Sequence, residues 1–530
     1  MVGLVRFRAF LARESHATGL PLAWLLAVAV AVHAATAVVA VKPWHPDEHF
    51  QILEFAWARA GHAPLDSLPW EFAARIRPAL QPVLAMGVLG ALRALGVTSP
   101  FAWILVLRLA TLALALAVLL RVVGRAAPGL DPGPRRVLWL GAFLLWFAPF
   151  LLFRFTSENL AGILFAAALV RLDRGGGGDG EGGDVFTGAL LGLAFVVRFQ
   201  MAFAVGAVLA WVVLRTPGGV RRAVVFALAA AGVVGLATLV DAWFYRELVF
   251  TPWRYFQVNL LEGTASSFGT SPWYAYLLWA PLWMAPPLGV VVGALVVAGM
   301  AARPASPWTW SLVAFLAGHS LVAHKELRFL FPVIYLVPVL AAWGAQRWRQ
   351  VLFGGWWSRW AAGLLVVQNA LLLVVLLTPA VHRGREVDAH YVLWLWRAAE
   401  AHPGDTIYVL TDEGSAYRTY PLEANVVRHP RVRAVPHRPG DPVPVEVPRD
   451  TPPERLFVLR RGTEPPAVAG AEALPPAYAS EAGYRSMARR LGLEGASLLR
   501  WLEDVDGWTG STEARRVYSL RISSGPETAP

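Results

Sequence analysis

The sequence predicts a polytopic α-helical membrane protein with a soluble C-terminal α/β domain. Three observations lead there. Of the 530 residues, 56% are hydrophobic and only 16% charged, where an ordinary soluble chain carries about 25% charged. The apolar residues fall in blocks of roughly 20, the length that crosses a hydrocarbon core. This pattern stops near residue 379, and the remainder has ordinary composition and enough length for its own core. A soluble enzyme, a secreted scaffold and a fibrous protein are excluded.

The elements follow in order. Arg6, Arg8 and Arg13 precede an apolar run from about Leu20 to Val41. Cationic flanks stay cytoplasmic, so this span starts inside and ends outside. The run is too long for a cleaved signal peptide and lacks a small-residue cleavage site. Residues 42–76 form an outside loop in which 49–59 suits a short interfacial helix. Apolar blocks come next at about 78–95, 101–123, 137–153 and 160–171, and the glycine-rich 175–184 is a connector. Block 185–214 exceeds one span and falls short of two, with Arg198 in its middle. Half-length helices, or a tilted span beside a polar cavity, suit it. Spans at about 223–240, 277–300, 308–323, 330–346 and 359–379 bring the membrane domain, 1–379, to about 10–12 crossings. Counted outward from the basic 215–222 turn, segments 241–276, 324–329 and the domain 380–530 lie outside. In that domain 406–410, 455–460 and 516–522 read as strands and 472–502 as mostly helix.

The charge is uneven. Residues 1–379 hold 28 Lys and Arg against 16 Asp and Glu, whereas 380–530 hold 19 against 20. Cations between apolar blocks match cytoplasmic loops and lipid phosphates. A nucleic-acid binder would gather them on one soluble face, so no nucleic-acid partner is expected. The absence of cysteine excludes disulfides, thiolate metal sites and a cysteine nucleophile. Lysine occurs only at 42 and 325; this replacement by Arg points to a GC-rich bacterial genome, hence to an inner (plasma) membrane.

Three polar clusters interrupt the apolar background. His45-Pro46-Asp47-Glu48-His49 follows the first span; its carboxylates fit a general base with electrostatic support, or equally a divalent cation, or simply a solvated loop. Asp241 through Thr251, Arg254 and Asn259 form an aromatic-rich segment. An interfacial belt explains its Trp and Tyr but not its polar members. His324-Lys325-Glu326-Leu327-Arg328 sets three cationic groups around one carboxylate, which suits a lipid phosphate or a short loop at the membrane edge. Within the spans, Arg154 and Glu158 are spaced for one helical face, as a buried pair. They and Arg198 need partners or a cavity. His16, His33 and His319 are read as structural. No dinucleotide, P-loop, nucleophile-elbow or HExxH zinc motif appears in a fitting context.

HPDEHFQ at 45–51 with Glu54, HKELRFLFPVIYL at 324–336 and DAWFYRELVFTPWRYFQVN at 241–259 together resemble the signatures of glycosyltransferase family 22. These are the dolichyl-phosphate-mannose mannosyltransferases of N-glycan and GPI-anchor assembly. RFTSEN at 154–159 and the surroundings of Arg198 resemble two weaker elements. The resemblance covers about residues 20–345. Arg246 stands where the family commonly has Gly, Arg254 where Asn is common, and Ser271 where His is frequent; these departures leave the acceptor open.

The resemblance implies a GT-C glycosyltransferase fold with its site on the periplasmic or extracellular side. It implies inverting transfer of mannose from a polyprenyl-phosphate donor to a hydroxyl of a lipid-linked or glycan acceptor. Asp47 becomes the expected base, with Glu48 beside it. His324, Lys325 and Arg328 become holders of the donor phosphate, with Arg198 and Arg254. His45, Arg154, Glu158, Asp241, Asn259 and Glu326 complete the expected substrate contacts. No cofactor is expected, and a divalent metal is possible but not required, because a lipid phosphate is already a good leaving group. Other expectations stay open: a lipid-phosphate arabinose donor, or a lipid or solute transporter whose intramembrane charges line a path.

Overall fold

A computed structural model describes residues 2–40, 46–172, 180–377, 387–411, 426–438, 440–461, 465–480 and 515–522. The chain divides into two compact units. One comprises 1–37, 68–98 and 102–374; the other comprises 38–67, 99–101 and 375–530. The loop after the first span therefore groups with the C-terminal segment, where the sequence alone placed the boundary near 379.

The first unit is helical. Among the described residues four helices are long and apolar enough to cross a membrane: Leu22–Val39, Pro100–Ala126, Gly219–Tyr245 and Trp356–Val374. A fifth arises if the pair Leu327–Tyr335 and Val337–Arg347, bent by 67°, is one span. Other expected spans are shorter or interrupted. Block 277–300 becomes Ala275–Trp283 and Leu288–Ala302, separated by Pro286 and Pro287. Block 185–214 resolves into Gly180–Val197 and Ala202–Arg215, so half-length helices are what forms. The backbone at Arg198 is extended (φ −147°, ψ 107°). Neither proline nor glycine stands at the break; what stands there is a buried guanidinium.

Small residues set the helix contacts. Lipid tails give apolar helices no reason to prefer one another, so close backbone approach has to supply the attraction. Gly188 and Gly192, one turn apart, face the helix Gly219–Tyr245, and a Cβ at 188 would lie 2.6 Å from the Phe226 carbonyl oxygen. Gly299 and Gly344 face each other's helices: a Cβ at 299 would stand 1.9 Å from Leu340 O, and one at 344 stands 1.9 Å from Leu295 O. His33 and His319 sit buried with ring nitrogens on the carbonyls of Phe143 and Phe315, the structural roles expected.

Among the described residues of the second unit, five strands make one mixed sheet: β1 Ile407–Thr411, β2 Val432–Pro436, β3 Leu456–Arg461, β4 Ala471–Ser480 and β5 Arg515–Ile522. Their order is β2-β1-β3-β5-β4, with β2, β1 and β3 parallel and the β3–β5 and β5–β4 pairs antiparallel. On one face the helix Val387–Ala401 brings Leu395 and Ala399 against Ile407, Val409 and Phe457. On the other, Val435, Val447, Val458 and Leu520 pack together. The three expected strands are β1, β3 and β5. The helix expected from 472 is corrected: 472–480 belong to β4, and the rest of that stretch lies outside the described residues. Pro475 and Pro476 would break a helix, but an edge strand tolerates them at the register shifts around Pro476.

Gly299→Val forces branched carbon into the Leu340 carbonyl. Overpacking of this kind lowers stability by about 1–3 kcal/mol, and against backbone the upper end is expected. Thermal unfolding in detergent reads it, and an unchanged midpoint would contradict the Gly299–Gly344 contact.

Candidate active site

A glycine brings two distant segments of the first unit together. The helix Ser157–Leu172 carries Glu158 in its first turn. One turn on, a Cβ at Gly162 would lie 2.7 Å from Pro332 O and 2.9 Å from Pro332 Cα, so the chain 327–335 packs directly on this helix. Tyr335 donates its hydroxyl to Asn159 Oδ1 at 2.7 Å. Asn159 Nδ2 donates to the carbonyls of Leu152 (3.0 Å) and Arg154 (2.9 Å), fixing the approach to the helix. Arg328 Nη1 consequently stands 3.8 Å from Glu158 Oε1.

The broken helix supplies the third member. Arg198 Nη1 lies 2.9 Å from Glu158 Oε1 and donates to Ser157 Oγ at 3.2 Å. Its guanidinium carbon is 5.0 Å from the centre of the Phe329 ring. Arg198 and Glu158 are buried, 6% and 4% exposed. Nε and Nη2 of Arg198 are buried with no hydrogen-bond partner among the described residues. A buried donor left unmade costs about 1–3 kcal/mol, so this guanidinium holds unspent capacity for an acceptor.

Glu326 anchors the other side. Its carboxylate accepts from Arg328 Nε and, at 3.1 Å, from Nη2, and lies 3.0 Å from His324 Nε2. His324 and Arg328 thus surround one carboxylate, as their spacing suggested. Lys325 turns elsewhere: it is buried, and Nζ donates to the backbone carbonyls of Ser271 (3.1 Å) and Val322. Burial lowers the pKa of its ammonium.

The remaining predicted residues make the following contacts. Arg154 precedes the helix that begins at Ser157, so its spacing from Glu158 does not put the two on one helical face. Its Nε donates to Phe150 O at 3.1 Å, and its guanidinium covers the rings of Phe150 and Phe153. Asp241 is buried and accepts the Ala79 amide at 2.7 Å on one oxygen and the Thr251 hydroxyl on the other. It thereby ties the start of the helix Leu80–Ala94 to residue 251. Arg254 donates to Gln257 Oε1 at 3.2 Å, and Asn259 to Tyr255 O at 3.1 Å. Tyr255, read from the sequence as part of an interfacial aromatic belt, accepts from Gln200 Nε2 at 2.6 Å, packs on Phe199 and lies under Arg77. The only signal for Gln200 was its place two residues after Arg198. Arg246 has φ 56°, closing the helix Gly219–Tyr245 in the left-handed region, which explains a family preference for glycine there.

In the second unit, the turn Pro46–Glu48 leads into the wide helical turn His49–Glu54. Asp47 is half-buried and Glu48 buried. His49 Nε2 and Glu54 Oε1, both buried, are 2.8 Å apart, and the same oxygen accepts the Val426 amide at 2.9 Å. The sequence offered Glu54 only as part of a motif. His45 and Lys42 lie outside the described residues. Among the described residues no group of three or more His, Asp or Glu stands together to hold a metal.

The model of the Alg9-like mannosyltransferase family matches residues 24–394. The chain belongs to this family. The curated proteins that resemble this member include GPI alpha-1,2-mannosyltransferase 3 of Danio rerio, 28% identical over 163 residues, 30% of this chain. The chain spans only 28% of that protein's length. GPI mannosyltransferase 3 of Yarrowia lipolytica is 26% identical over 371 residues, 69% of each chain. Dol-P-Man:Man(7)GlcNAc(2)-PP-Dol alpha-1,6-mannosyltransferase of Drosophila melanogaster is 32% identical over 183 residues, 34% of this chain and 26% of its own. Among solved structures, ArnT from Cupriavidus metallidurans bound to undecaprenyl phosphate matches with a TM-score of 0.49 and 16% identity, covering 77% of this chain and 75% of that one.

Asp241→Ala strands the Ala79 amide and the Thr251 hydroxyl, each worth about 1–3 kcal/mol. The expected result is a lowered thermal midpoint. Lost activity with an unchanged midpoint would make Asp241 a substrate contact instead.

Proposed function

We propose that the chain is an integral-membrane inverting glycosyltransferase of GT-C architecture that moves mannose from a polyprenyl-phosphate donor to a hydroxyl of a lipid-linked or glycan acceptor. The observation that carries this reading is the Arg198–Glu158–Arg328 array, in which one buried guanidinium keeps two nitrogens, Nε and Nη2, without partners among the described residues. A guanidinium fork matches phosphate oxygens bidentately. Family membership and a relative named for Dol-P-Man support the sugar and the donor class.

The chemistry follows. As the glycosidic bond to phosphate breaks, charge grows on the departing phosphate, and preorganised cations in an apolar surround stabilise it where it develops. Arg198 and Arg328 take that role, with Glu158 and Glu326 orienting them and His324 behind Glu326. Inversion by single displacement needs one base for the acceptor hydroxyl. Asp47 is assigned to it, with Glu48 as its electrostatic partner. Arg254 is assigned to the donor phosphate beside Arg198, and Asn259, on the same segment, to a substrate contact. With one phosphate to neutralise and arginines to do it, the reaction is inferred to need no metal. The membrane is inferred to be a bacterial inner membrane, with transfer on its outer side.

Purified protein incubated with radiolabelled polyprenyl-phosphate mannose, the arabinose analogue and a panel of lipid-linked acceptors is expected to transfer mannose, before and after chelation of divalent metals. Transfer of arabinose alone, or label moved across vesicles with no product, would reject the reading, and loss on chelation would reject metal independence. Asp47→Asn is expected to cut turnover by about 10²–10⁴, the worth of a general base, with folding intact. Near wild-type turnover would remove Asp47 from that role.

A further inference from the structure

We propose that Lys325 is a positioning residue rather than a phosphate ligand: its ammonium fastens the strap 269–271 to the turn that carries Glu326 and Arg328. This rests on the donor-phosphate reading above and refines it.

Three contacts join these two segments, which are distant in sequence, and a fourth comes from the neighbouring Phe268. The Ser271 amide donates to Ala323 O at 2.9 Å. Lys325 Nζ donates to Ser271 O at 3.1 Å while also holding Val322 O on its own segment. His324 Nδ1 lies 2.9 Å from Gly269 O. The rings of Phe268 and His324 stand 6.1 Å apart. Lys325 is buried, and a buried ammonium persists only where oxygens take its protons; two carbonyls do so here. Two of the three N–H groups of Nζ are thereby committed to backbone, one on each segment, so the ammonium spans the join. Arg198 keeps two nitrogens, Nε and Nη2, without a hydrogen-bond partner among the described residues.

What the strap holds in place matters for the array. His324 and Arg328 both engage Glu326, and Arg328 faces Glu158. Strap, His324, Glu326 and Arg328 form one hydrogen-bonded series, and Arg328 Nη1 then stands 3.8 Å from the carboxylate that pairs with Arg198. Releasing the strap frees Glu326 to draw Arg328 away from Glu158. The effect falls on the geometry of the array rather than on the number of groups that bind the phosphate.

The test pairs hydrogen–deuterium exchange of the full-length, substrate-free protein with kinetics on polyprenyl-phosphate mannose. Lys325→Met is expected to speed exchange across 264–273 by about tenfold, the worth of one lost hydrogen bond. It should lower kcat by about tenfold with donor KM within about threefold, the signature of lost transition-state geometry. Lys325→Arg, which still donates to carbonyls, should recover most of both. Arg328→Gln should leave exchange in 264–273 unchanged and raise donor KM. The proposal is overturned if Lys325→Met leaves that exchange at the wild-type rate, or raises donor KM as Arg328→Gln does. If Lys325→Met does not fold, Ser271→Pro, which deletes the amide bound to Ala323, should give the same faster exchange at 264–270 and the same loss of kcat; wild-type values for both overturn the proposal. Should the wild-type protein transfer no sugar at all, the donor reading fails, and the exchange arm still decides the tether.

Discussion

Arg198 and Glu158 form an ion pair almost without access to solvent, each at the end of an apolar helix of the first unit. Removing two such charges from water costs several kcal/mol per ion even after relaxation, and the loss is offset only by close pairing and further hydrogen bonds. The surrounding structure is organised around meeting that condition. The helix stops at Val197, and the chain is extended at Arg198. Ser157 adds a hydroxyl, Phe329 places a ring face under the guanidinium, and Arg328 brings a second cation toward the same carboxylate. The pairing leaves Nε and Nη2 of Arg198 without a partner among the described residues, and under the proposed function the donor phosphate completes it.

Precision at that point comes from backbone contact. Gly162 lets the segment 327–335 lie against the helix that carries Glu158, and the Tyr335–Asn159 hydrogen bond locks the register between them. Larger side chains there would hold Arg328 farther out. The glycine contacts at 188, 192, 299 and 344 do the same for the helices behind. In the second unit the corresponding anchor is Glu54, which holds His49 on one side and the backbone of Val426 on the other, so the turn bearing Asp47 and Glu48 runs into a fixed point.

Much of this was legible in the sequence where one physical rule dominated. Block length located the long helices, and an Arg in the middle of a 30-residue apolar block signalled the break at 198. Alternation in 406–410, 455–460 and 516–522 gave three of the five strands. The sequence misled where spacing stood in for geometry. Arg154 and Glu158 are four apart, yet the helix begins between them. The stretch from 472 reads as helical until its two prolines are weighed. Lys325 stood out as cationic and rare, but its bond to a carbonyl in a loop fifty residues earlier has no local signal. The partnership of Glu158 with Arg198 joins two blocks whose proximity no local pattern records, and Arg246 showed its left-handed backbone only through a departure from the family's glycine.

The account stands or falls on what the spare N–H groups of Arg198 are for. Equilibrium binding of a polyprenyl phosphate and of the matching polyprenol, to the purified wild-type protein and to Arg198→Gln, measures this without any transfer reaction. Loss of a charge-assisted bidentate contact is worth about 1.5–3 kcal/mol, or roughly ten- to a hundredfold in affinity. The wild-type protein should therefore prefer the phosphate by at least that margin, and Arg198→Gln should lose the preference. Equal affinity for phosphate and alcohol in the wild type, or an undiminished preference in the variant, would contradict it.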